Sequence, residues 1–407
     1  MKILQIGTAD KSGGAALISW AIKKAMEKIG NKVSMFVGVK FSDDPNVFLI
    51  KRRIFYKYYR YLCYLLSNDI DLFKTGWITK TKPFKEADIV HFHNIHGWFF
   101  NLKTFQKIST LKPTVWTLHD EWAITPYCAY AFDGELKNGF YQCNDLNIYP
   151  RMFWHNEKYL MHRKKKLYNN SNVTLVVPSM WLKNKVEKSV LKDKKIHLIY
   201  NGIDINIFKK TEKNEARKKL GITVDKKIIL FVSDGGENNP FKGWVHVEKV
   251  LEKYKNDSSV HFLCIGGNSD KKNSIGSNIT YVPKIKDPSL LAKYYSSADV
   301  FLYPSLADSF GLVVAEAMSC GTPVVTFETG GIPEIVDHEK NGYVAKYRDQ
   351  EDLENGLKYI LGKSDYDLLS MSNNAIDKIK DNFTEEIMTR NYLRLYESLI
   401  DNKNNKL

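Results

Sequence analysis

Short apolar segments alternate with amphipathic helical segments along most of the chain, and this alternation restricts the possible folds more than any other feature. The apolar segments of the first half are KILQI, KVSMFVG, ADIVHFHN, PTVWTLHD and NVTLVVPS. Those of the second half are KKIILFVSD, VHFLCIGG, NITYVP, DVFLYPS and TPVVTFE. Strands that alternate with helices form parallel sheets with helices on both faces. The sequence therefore predicts the α/β class, with one parallel sheet in each half.

The length of the chain and a break in its pattern predict two domains. A chain of 407 residues is too long for one hydrophobic core of ordinary size. A charged, glycine-punctuated segment separates the halves, so we place the domains at residues 1–202 and 203–407. The pattern becomes mainly helical after Ala345, and we expect the final helices to pack back on the first domain. Open parallel sheets bind ligands at the carboxyl ends of their strands, so we expect the two Rossmann-like domains to face each other across a cleft.

The cysteine content and the lack of long apolar segments predict a cytoplasmic protein. The chain has five cysteines, an odd and scattered set that is typical of a reducing compartment. Cys128 and Cys143 lack the spacing of a metal site, and we expect both to be plain thiols. The opening segment MKILQIGTADKSGG does not resemble a signal peptide. No run approaches the roughly 20 apolar residues of a membrane span.

The net charge of +14 favours a negatively charged partner. The sequence contains no zinc-finger, RNA-recognition or basic-region pattern, so we expect no nucleic-acid binding. Acidic substrates and anionic membrane surfaces remain as candidate partners. A lysine-rich composition without functional meaning is an equal alternative.

The segment DSFGLVVAEAMSCGTPVV, which begins at Asp308, combines two acidic residues with an otherwise apolar run. Phe310, Gly311 and Leu312 lie where a predicted strand passes into a predicted helix. Free N–H groups and the helix dipole at such a start favour a diphosphate, and Gly311 permits close backbone approach. Glu316, further along the helix, can accept hydrogen bonds from vicinal hydroxyls. The alternative makes Asp308 a helix cap and Glu316 a buried acid with protein partners.

Four motifs occur in order along the chain: SGG near the N-terminus, NGID from Asn201, FKG from Phe241, and the block DSFGLVVAEAMSCGTPVV…GGIPEIV. Together they resemble the family 4 glycosyltransferases of the GT-B fold, the retaining enzymes of bacterial polysaccharide assembly. The resemblance covers nearly the whole chain. It is most specific from Tyr303 to Asn341 and weakest at residues 40–85 and 120–170. It implies transfer of a sugar from a nucleoside diphosphate sugar to a glycan or lipid-linked glycan, with retention of configuration.

The resemblance assigns roles to both acids of the block. The residue that corresponds to Glu316 binds the donor ribose, and the first acid of the family's E-x7-E pattern approaches the transferred sugar. This chain has Asp308 in place of that first glutamate, which leaves nucleotide binding as expected but changes the sugar contact. Phe310, Gly311 and Leu312 correspond to the segment that meets the donor phosphates.

Lys242 lies in a loop after the first predicted strand of the second half. An ammonium group there would neutralise charge on a leaving diphosphate, whereas a lysine considered alone, among 60 basic residues, is more often a solvated side chain. The resemblance makes Lys242 the phosphate-binding lysine. The family usually has an arginine a few residues earlier, and this chain has none between Arg217 and Arg348. We expect backbone amides, Asn238 or Asn239 to replace it.

Glycines and histidines mark the loops of the first half. Gly13 and Gly14 follow the first predicted strand, where a turn and a helix start are common. The resemblance places Gly14 near the donor phosphate and Gly13 near the acceptor. We expect His119 to contact the transferred sugar, and His93 and His96 to contact the acceptor.

His91 and His93 are two residues apart on a predicted strand, so both point to one face, where such a pair can bind a metal ion. GT-B enzymes need no metal ion, and the chain has no DxD motif. We therefore expect neither a metal ion nor a cofactor besides the nucleotide sugar. A core position for His91 is an equal alternative to any site role.

Residues 51–66, KRRIFYKYYRYLCYLL, carry five basic, six aromatic and no acidic side chains. On a helix, one basic stripe and an adjoining apolar stripe result, formed by Arg53, Lys57 and Arg60 and by Ile54, Tyr58, Tyr61 and Leu65. A basic amphipathic helix is typical of contact with an anionic membrane surface. Packing of this helix on its own sheet is the alternative.

The sequence as a whole predicts a GT-B glycosyltransferase, cytoplasmic or peripheral on the inner face of the cell membrane, that uses a UDP or GDP sugar. Its catalytic candidates are Asp308, Lys242 and His119. One alternative is a nucleotide-sugar 2-epimerase, which would rearrange the donor without an acceptor. Another is a non-catalytic subunit that binds a nucleotide sugar and supports a partner.

Overall fold

The structure, a computed structural model, describes residues 1–50, 56–222, 225–233, 235, 239–266 and 278–404. The chain forms two compact units. Unit 1 comprises Met1–Tyr200 and Glu386–Leu407, and unit 2 comprises Asn201–Glu385. Each unit has its own parallel sheet and its own hydrophobic core.

The elements of unit 1 ahead of Tyr200 alternate between strands and helices. The strands are β1 (Lys2–Ala9), β2 (Lys32–Val39), β3 (Val47–Leu49), β4 (Ile89–Phe92), β5 (Thr114–Thr117), β6 (Leu136–Lys137), β7 (Phe140–Tyr141), β8 (Thr174–Val177) and β9 (Ile196–Leu198). The helices are α1 (Gly14–Lys28), α2 (Tyr56–Leu65), α3 (Lys82–Glu86), α4 (Leu102–Leu111), α5 (Glu157–Asn169) and α6 (Met180–Val186).

Seven strands of unit 1 form one parallel sheet in the order β3-β2-β1-β4-β5-β8-β9, and β6 and β7 form a separate antiparallel pair. Successive side chains of a strand point to opposite faces. Leu4 and Ile6 of β1 and Val90 and Phe92 of β4 therefore lie on the face that carries the main core. The strand order reverses between β1 and β4, and sheets of this kind bind ligands at the carboxyl ends beside such a reversal.

Unit 2 repeats this construction. Its strands are β10 (Lys227–Val232), β11 (Val260–Ile265), β12 (Ile279–Val282), β13 (Val300–Tyr303), β14 (Val324–Phe327) and β15 (Gly342–Ala345). Its helices are α7 (Lys213–Leu220), α8 (Trp244–Tyr254), α9 (Pro288–Ser297), α10 (Leu312–Ser319), α11 (Gln350–Leu361) and α12 (Asp365–Asn382).

The sheet of unit 2 is also parallel, in the order β12-β11-β10-β13-β14-β15. Apolar residues of α8 and α11 cover one face and form the core with residues of β10, β11, β13 and β14. The order reverses between β10 and β13, and Lys242 and Asp308 follow these two strands along the chain. Both sheets have the strand order of a doubly wound, Rossmann-like fold, which confirms the predicted α/β class.

The last helix, α13 (Glu385–Asn404), lies in unit 1 from its second residue onward. Its residues Tyr392 and Tyr396 are buried and hydrogen-bond Thr117 and His91. The sequence places residues 386–407 in the second domain; the structure assigns them to unit 1 and begins unit 2 at Asn201. The assignment differs only in the boundary, because the final helix was expected to pack on the first domain although it was counted with the second.

The expectation that Cys128 and Cys143 are plain thiols is wrong, because they form a disulfide. The cysteines therefore no longer support the expected reducing compartment. The chain between them folds back through the β6–β7 hairpin, whose two-residue turn is Asn138-Gly139 with positive φ at both positions. This turn type is the usual one for tight hairpins. The hairpin brings together two cysteines that spacing alone does not pair. Cys63, Cys264 and Cys320 are free and buried.

The predicted basic helix at residues 51–66 corresponds to α2, which the structure describes from Tyr56 to Leu65. Arg53 and Ile54 lie outside the described residues. Among the described residues, no helix has the length and the apolar character needed to cross a membrane.

Candidate functional site

A short turn in unit 2 holds Lys242 at the carboxyl end of β13. The carbonyl of Phe241 accepts a hydrogen bond from the N–H of Leu306 at 2.8 Å. Gly243 has a left-handed backbone with φ of 65°. A Cβ at this position would lie 1.9 Å from the carbonyl oxygen of Pro304, so the turn can approach the strand end so closely only with glycine.

Lys242, Tyr303 and Asp308 form a hydrogen-bonded cluster at this strand end. The Lys242 ammonium donates to the Tyr303 hydroxyl and, at 3.0 Å, to Oδ2 of Asp308. The Tyr303 hydroxyl donates to the same Oδ2 at 2.7 Å. The side chains of Lys242 and Asp308 are 21% and 17% exposed, so the ion pair is shielded but reachable from solvent.

The ion pair keeps both partners charged. Burial alone would lower the pKa of Lys242 and raise that of Asp308. Burial is the largest single effect, but the opposite charge of the partner and the hydrogen bonds of the cluster together outweigh it, so the pKa of Lys242 lies above its usual range and the pKa of Asp308 below it. Burial, together with the Asp308 charge, raises the pKa of Tyr303, which therefore stays a hydrogen-bond donor.

Asp308 also caps the start of α10. Its Oδ1 accepts hydrogen bonds from the N–H groups of Phe310 at 3.2 Å and Gly311 at 2.9 Å. A carboxylate has about four acceptor positions, and these two bonds, with those from Lys242 and Tyr303, fill them. In this arrangement Asp308 holds Lys242 beside the helix start, and its contact with the transferred sugar stays a prediction.

The predicted diphosphate-binding groups meet at the start of α10. Asp308 bridges the Lys242 ammonium and the N–H of Gly311, which precedes the first helical residue, Leu312. The first N–H groups of a helix have no intrahelical acceptor, and the helix dipole makes this end positive. The Phe310 ring is buried against the ring of Phe383, so its backbone rather than its side chain belongs to the site. The N–H groups at the start of α10 and the Lys242 ammonium already bind the Asp308 carboxylate. Groups of this kind also bind phosphate.

Glu316 lies one turn into α10 and accepts a hydrogen bond from the hydroxyl of Tyr295 at 3.0 Å. Burial raises the pKa of Glu316 to about 7, and the bond from Tyr295 opposes this rise. The structure shows no cation paired with Glu316 among the described residues. Its carboxylate therefore retains acceptor capacity for hydroxyl groups.

Sequence reasoning missed Tyr303 and Tyr295 as members of this site. Tyr303 ends an apolar strand and Tyr295 lies on α9, and both side chains are fully buried. A tyrosine at the end of the predicted strand DVFLYPS was an available signal, because a buried phenol needs a partner. No sequence signal linked Tyr295 to Glu316.

The residues expected to replace the family's arginine are only partly described. Asn238 lies outside the described residues. Asn239 accepts a hydrogen bond from the N–H of Phe241 at 3.0 Å, so it stabilises the turn that carries Lys242. Arg217 pairs with Asp299 at 2.6 Å within the interior of unit 2, where it is structural.

In unit 1, the predicted histidines lie at the carboxyl ends of β4 and β5. The ring nitrogens His93 Nδ1 and His119 Nε2 are 2.9 Å apart and share a hydrogen bond. Burial lowers the pKa of His119 to about 4, although the nearby Asp120 opposes this. Burial also lowers the pKa of His93 well below its usual value. Both rings are therefore neutral near pH 7, and one donates to the other.

His96 belongs to a second cluster with Asp120, which sequence reasoning did not include as a site residue. His96 Nε2 lies 2.8 Å from Oδ2 of Asp120, and Asn94 donates to the same oxygen at 2.9 Å. The N–H of Trp122 donates to the other oxygen of Asp120. His96 is thus held in a fixed orientation, beside a small cavity of about 10 Å³, roughly the room for one water.

His91 is a core residue in the structure. It is fully buried, its ring lies 4.1 Å from the ring of His93, and both of its nitrogens have protein partners. Within the part of the chain that the structure describes, no group of three or more His, Cys, Asp or Glu residues could hold a metal ion.

Gly13 and Gly14 lie at the junction of β1 and α1. Gly13 has φ of 89° and directly precedes α1, which begins at Gly14. The predicted phosphate-side and acceptor-side glycines therefore occupy a helix start at the carboxyl end of β1, beside the strand reversal of unit 1.

Comparison with known families agrees with this geometry. The model of "Glycosyltransferase Family 4" matches residues 12–207, and that of "Glycosyl transferases group 1" matches residues 212–378. An N-acetyl-alpha-D-glucosaminyl L-malate synthase of Bacillus anthracis is 26% identical over 55% of this chain. The match spans 59% of that relative's length. The chain belongs to the family 4 glycosyltransferases.

Solved structures show the same fold over nearly the full chain. Sucrose-phosphate synthase from Thermosynechococcus elongatus superposes with a TM-score of 0.69 at 18% identity, covering 98% of this chain and 100% of that one. The Anabaena protein HepE, solved in complex with UDP, superposes with a TM-score of 0.67 at 18% identity, over 98% and 100% of the two chains. HepE has also been solved in complex with UDP-glucose. The architecture is therefore GT-B.

Proposed function

We propose that this protein transfers a sugar from a nucleoside diphosphate sugar to a glycan or lipid-linked glycan, with retention of configuration. The observation that carries the proposal is the placement of the Lys242 ammonium beside the start of α10, where Asp308 joins the two. A cation and a helix start at one strand end form a site for a negatively charged diphosphate leaving group. Retention is proposed from the family motifs.

Lys242 and α10 would stabilise the charge that develops on the leaving diphosphate. An ammonium has three N–H bonds, of which two are directed at Tyr303 and Asp308. The third is left for a phosphate oxygen, and the N–H of Leu312 offers a second contact. The sugar would pass through an oxocarbenium-like transition state, because the charge separation that these groups stabilise forms as the glycosidic bond breaks.

Glu316 would hold the donor ribose. Its carboxylate can accept hydrogen bonds from two vicinal hydroxyls, while Tyr295 keeps it oriented. We propose UDP or GDP as the nucleotide, and the UDP complexes of HepE support UDP.

The loops of unit 1 would bind the sugar groups. The neutral rings of His119 and His93 can donate to or accept from hydroxyls, with His119 at the transferred sugar and His93 and His96 at the acceptor. Gly14 would approach the donor phosphate and Gly13 the acceptor. The hydrogen-bonded rings of His93 and His119, neutral near pH 7, suit hydroxyl groups better than charged ligands.

We also propose an anionic membrane surface as a partner, reached through an aromatic surface of unit 1. This surface consists of Tyr58, Tyr61, Leu62 and Leu66 of the α2 region together with Phe153 and Trp154, all exposed. The ring of Tyr64 packs on Phe153 at 5.6 Å, and the indole N–H of Trp154 donates to the carbonyl of Leu65.

Only a small part of the surface of α2 is buried, including the side chain of Cys63, and the side chains of Tyr58 and Tyr61 are exposed to solvent. Exposed apolar patches of this kind mark interaction sites, and tyrosine and tryptophan favour the membrane interface. Lys57 is exposed on the same helix and adds attraction to anionic lipid. This partner would place the protein on the cytoplasmic face of a bacterial membrane, in the assembly of surface polysaccharide.

The test is incubation of the protein with a labelled nucleotide sugar and a lipid-linked glycan acceptor. Transfer of label to the acceptor, with release of the nucleoside diphosphate, is the expected result. A rearranged nucleotide sugar without any need for acceptor would instead indicate an epimerase. Nucleotide-sugar binding without either product would indicate a non-catalytic subunit, and both outcomes contradict the proposal.

A further inference from the structure

A row of buried polar side chains crosses the sheet of unit 1 on the face away from its main core. Gln5 of β1 lies opposite His91 of β4 in the register of the sheet, and His91 Nε2 lies 2.7 Å from the hydroxyl of Thr117 on β5. All three are completely buried. Apolar residues at these positions would be cheaper to bury, so the polar row requires an explanation beyond packing.

The final helix completes this row with two tyrosines. Tyr392 and Tyr396 are one helical turn apart and therefore face the sheet together. The Tyr392 hydroxyl lies 2.9 Å from the Thr117 hydroxyl, and the Tyr396 hydroxyl lies 2.7 Å from Nδ1 of His91. Both nitrogens of His91 are thereby engaged, which fixes the orientation of its ring.

His91 connects this row to the predicted sugar-binding histidine. Its ring lies 4.1 Å from the ring of His93. His93 in turn shares a hydrogen bond with His119 at 2.9 Å, and the planes of these two rings differ by 21°. Contacts therefore run without a break from α13 through two buried histidines to the ring of His119.

We propose that Tyr392 and Tyr396 are positioning residues for His119, and that they act through His91 and His93. The inference rests on the proposed function, in which His119 contacts the transferred sugar. The tyrosines do not touch the substrate. They hold His91 in one orientation, His91 limits the tilt of the His93 ring, and His93 then presents a fixed hydrogen-bonding partner to His119.

The kinetic test compares Tyr396→Phe with a matched control, Tyr127→Phe. The hydroxyl of Tyr127 is buried without a partner among the described residues, so its removal breaks no contact in the row. We expect Tyr396→Phe to lower kcat by about tenfold or more, because small misplacements of a positioning group are costly. We expect the control to retain the kcat of the parent, and both variants to retain its affinity for free nucleotide.

A double-mutant cycle separates positioning from a general structural effect. In a His119→Ala background, the further change Tyr396→Phe should lower kcat much less than it does in the parent protein, because its effect on His119 can no longer contribute. Equal effects of Tyr396→Phe with and without His119 would overturn the proposal.

A second measurement needs no enzymatic activity. In the ligand-free protein, 15N spectra of the histidine side chains report which nitrogen carries the proton. Tyr396→Phe should shift the signals of His91, His93 and His119, and leave those of the exposed His155 unchanged. Unchanged His93 and His119 signals would overturn the positioning role. A parent protein that transfers no sugar, but shows the expected shifts, would contradict the proposed function alone.

Discussion

At the scale of single residues, Asp308 shows how one methylene group changes a site. Aspartate is shorter than the glutamate of the family pattern by one C–C bond, about 1.5 Å. The short side chain reaches the N–H groups at the start of its own helix and the Lys242 ammonium together. A glutamate, with its longer side chain, could not make both of these contacts at once. We therefore interpret Asp308 as the residue that fixes Lys242 beside α10.

The change Asp308→Asn tests this interpretation. An asparagine keeps one oxygen for the N–H groups of Phe310 and Gly311, and asparagine caps helices as well as aspartate. The NH2 group of the asparagine would point at the Lys242 ammonium, and because both groups are hydrogen-bond donors, the ion pair would be lost. We expect sugar transfer to fall at least tenfold, and the melting temperature to fall as well, because the shielded Lys242 ammonium loses its charge partner. Full activity of the variant, measured with the native donor, would mean that Asp308 serves only as a helix cap. Asp308→Glu should also impair turnover, because the longer acid crowds a cluster shaped for aspartate.

The change Lys242→Ala tests the role of the ammonium group. If Lys242 stabilises charge that develops on the leaving diphosphate, kcat should fall by more than the donor KM rises. Steady-state kinetics over a range of donor concentrations give both values. An effect confined to KM would mean that Lys242 binds the ground state and transition state equally.

The raised pKa of Glu316 predicts a pH dependence of donor binding. The ribose hydroxyls need the ionised carboxylate as acceptor, and the pKa lies at about 7. We expect the affinity for a nucleotide sugar, whose phosphates do not titrate near neutrality, to fall about tenfold from pH 8 to pH 6. Glu316→Gln should bind more weakly and without this dependence. The same pH profile in parent and variant, measured by calorimetry, would remove Glu316 from the ribose site.

The same pKa fixes the sign of a stability effect. The folded protein holds the proton of Glu316 more tightly than the unfolded chain does, because burial raises the pKa from 4.5 to about 7. This contribution to the free energy of unfolding is complete below pH 4.5 and is lost as the pH rises through 7. Ligand-free Glu316→Gln should therefore lack this loss.

Sequence reasoning selected Lys242, Asp308 and Glu316 as candidates because each lies in a short motif with a physical purpose, and their roles stay predictions. Their actual partners could not be read from the motifs. Tyr303 and Tyr295 enter the site through the packing of β13 and α9, which only the folded structure defines. The position of Asp308 was predicted, but the complete filling of its acceptor positions was not.

At the scale of elements, the hairpin of β6 and β7 carries the disulfide between Cys128 and Cys143. A closed loop of 15 residues corresponds to about 3 kcal/mol of stabilisation in the chain-entropy model. We expect a reducing agent, or Cys143→Ser, to lower the free energy of unfolding by about this amount. Cys264→Ser, at a free buried cysteine, provides the control, because it should not abolish the response to the reducing agent. A parent protein insensitive to reductant would contradict a stabilising disulfide.

The aromatic surface around α2 predicts a second element-scale result. Binding to vesicles that contain anionic lipid should weaken as salt rises, because each basic residue near the surface contributes about 1 kcal/mol. Replacing Tyr58 and Tyr61 by serine should release the protein, since they are 76% and 61% exposed. Tyr366→Ser, at an 81% exposed tyrosine of unit 2, is the matched control. Equal sedimentation of all variants with vesicles would support a helix that serves packing alone.

Strands with a clear hydrophobic pattern in the sequence were predictable, and strands with a weak hydrophobic pattern were not. The buried central strands β10 and β13 are almost entirely apolar, and in β1 and β4 apolar residues flank the buried polar residues Gln5 and His91. Local sequence identifies such strands well. β3 has three residues, and β6 and β7 have two each, so they carry too little pattern. β15 also has too weak a hydrophobic pattern, because its middle residues Tyr343 and Val344 are only partly buried.

At the scale of the whole molecule, the chain builds two parallel sheets of the same strand order and returns its last helix to the first unit. The alternation of strands and helices predicted both sheets. From the sequence, we expect the final helices to pack on the first domain. The contacts that place α13 there, from Tyr392 to Thr117 and from Tyr396 to His91, are visible only in the structure. The net charge of +14 suits the anionic donor and the anionic membrane surface that we propose as partners.

The most direct test of the central claim is calorimetric titration of the protein with UDP, GDP, ADP and TDP. The parent protein should bind at least one of them. Lys242→Ala and Glu316→Gln should each weaken that binding by about tenfold, or about 1.4 kcal/mol, while Tyr127→Phe binds as the parent does. Failure of the parent to bind any nucleoside diphosphate, or equal affinity in all four proteins, would contradict a nucleotide-sugar site at the start of α10.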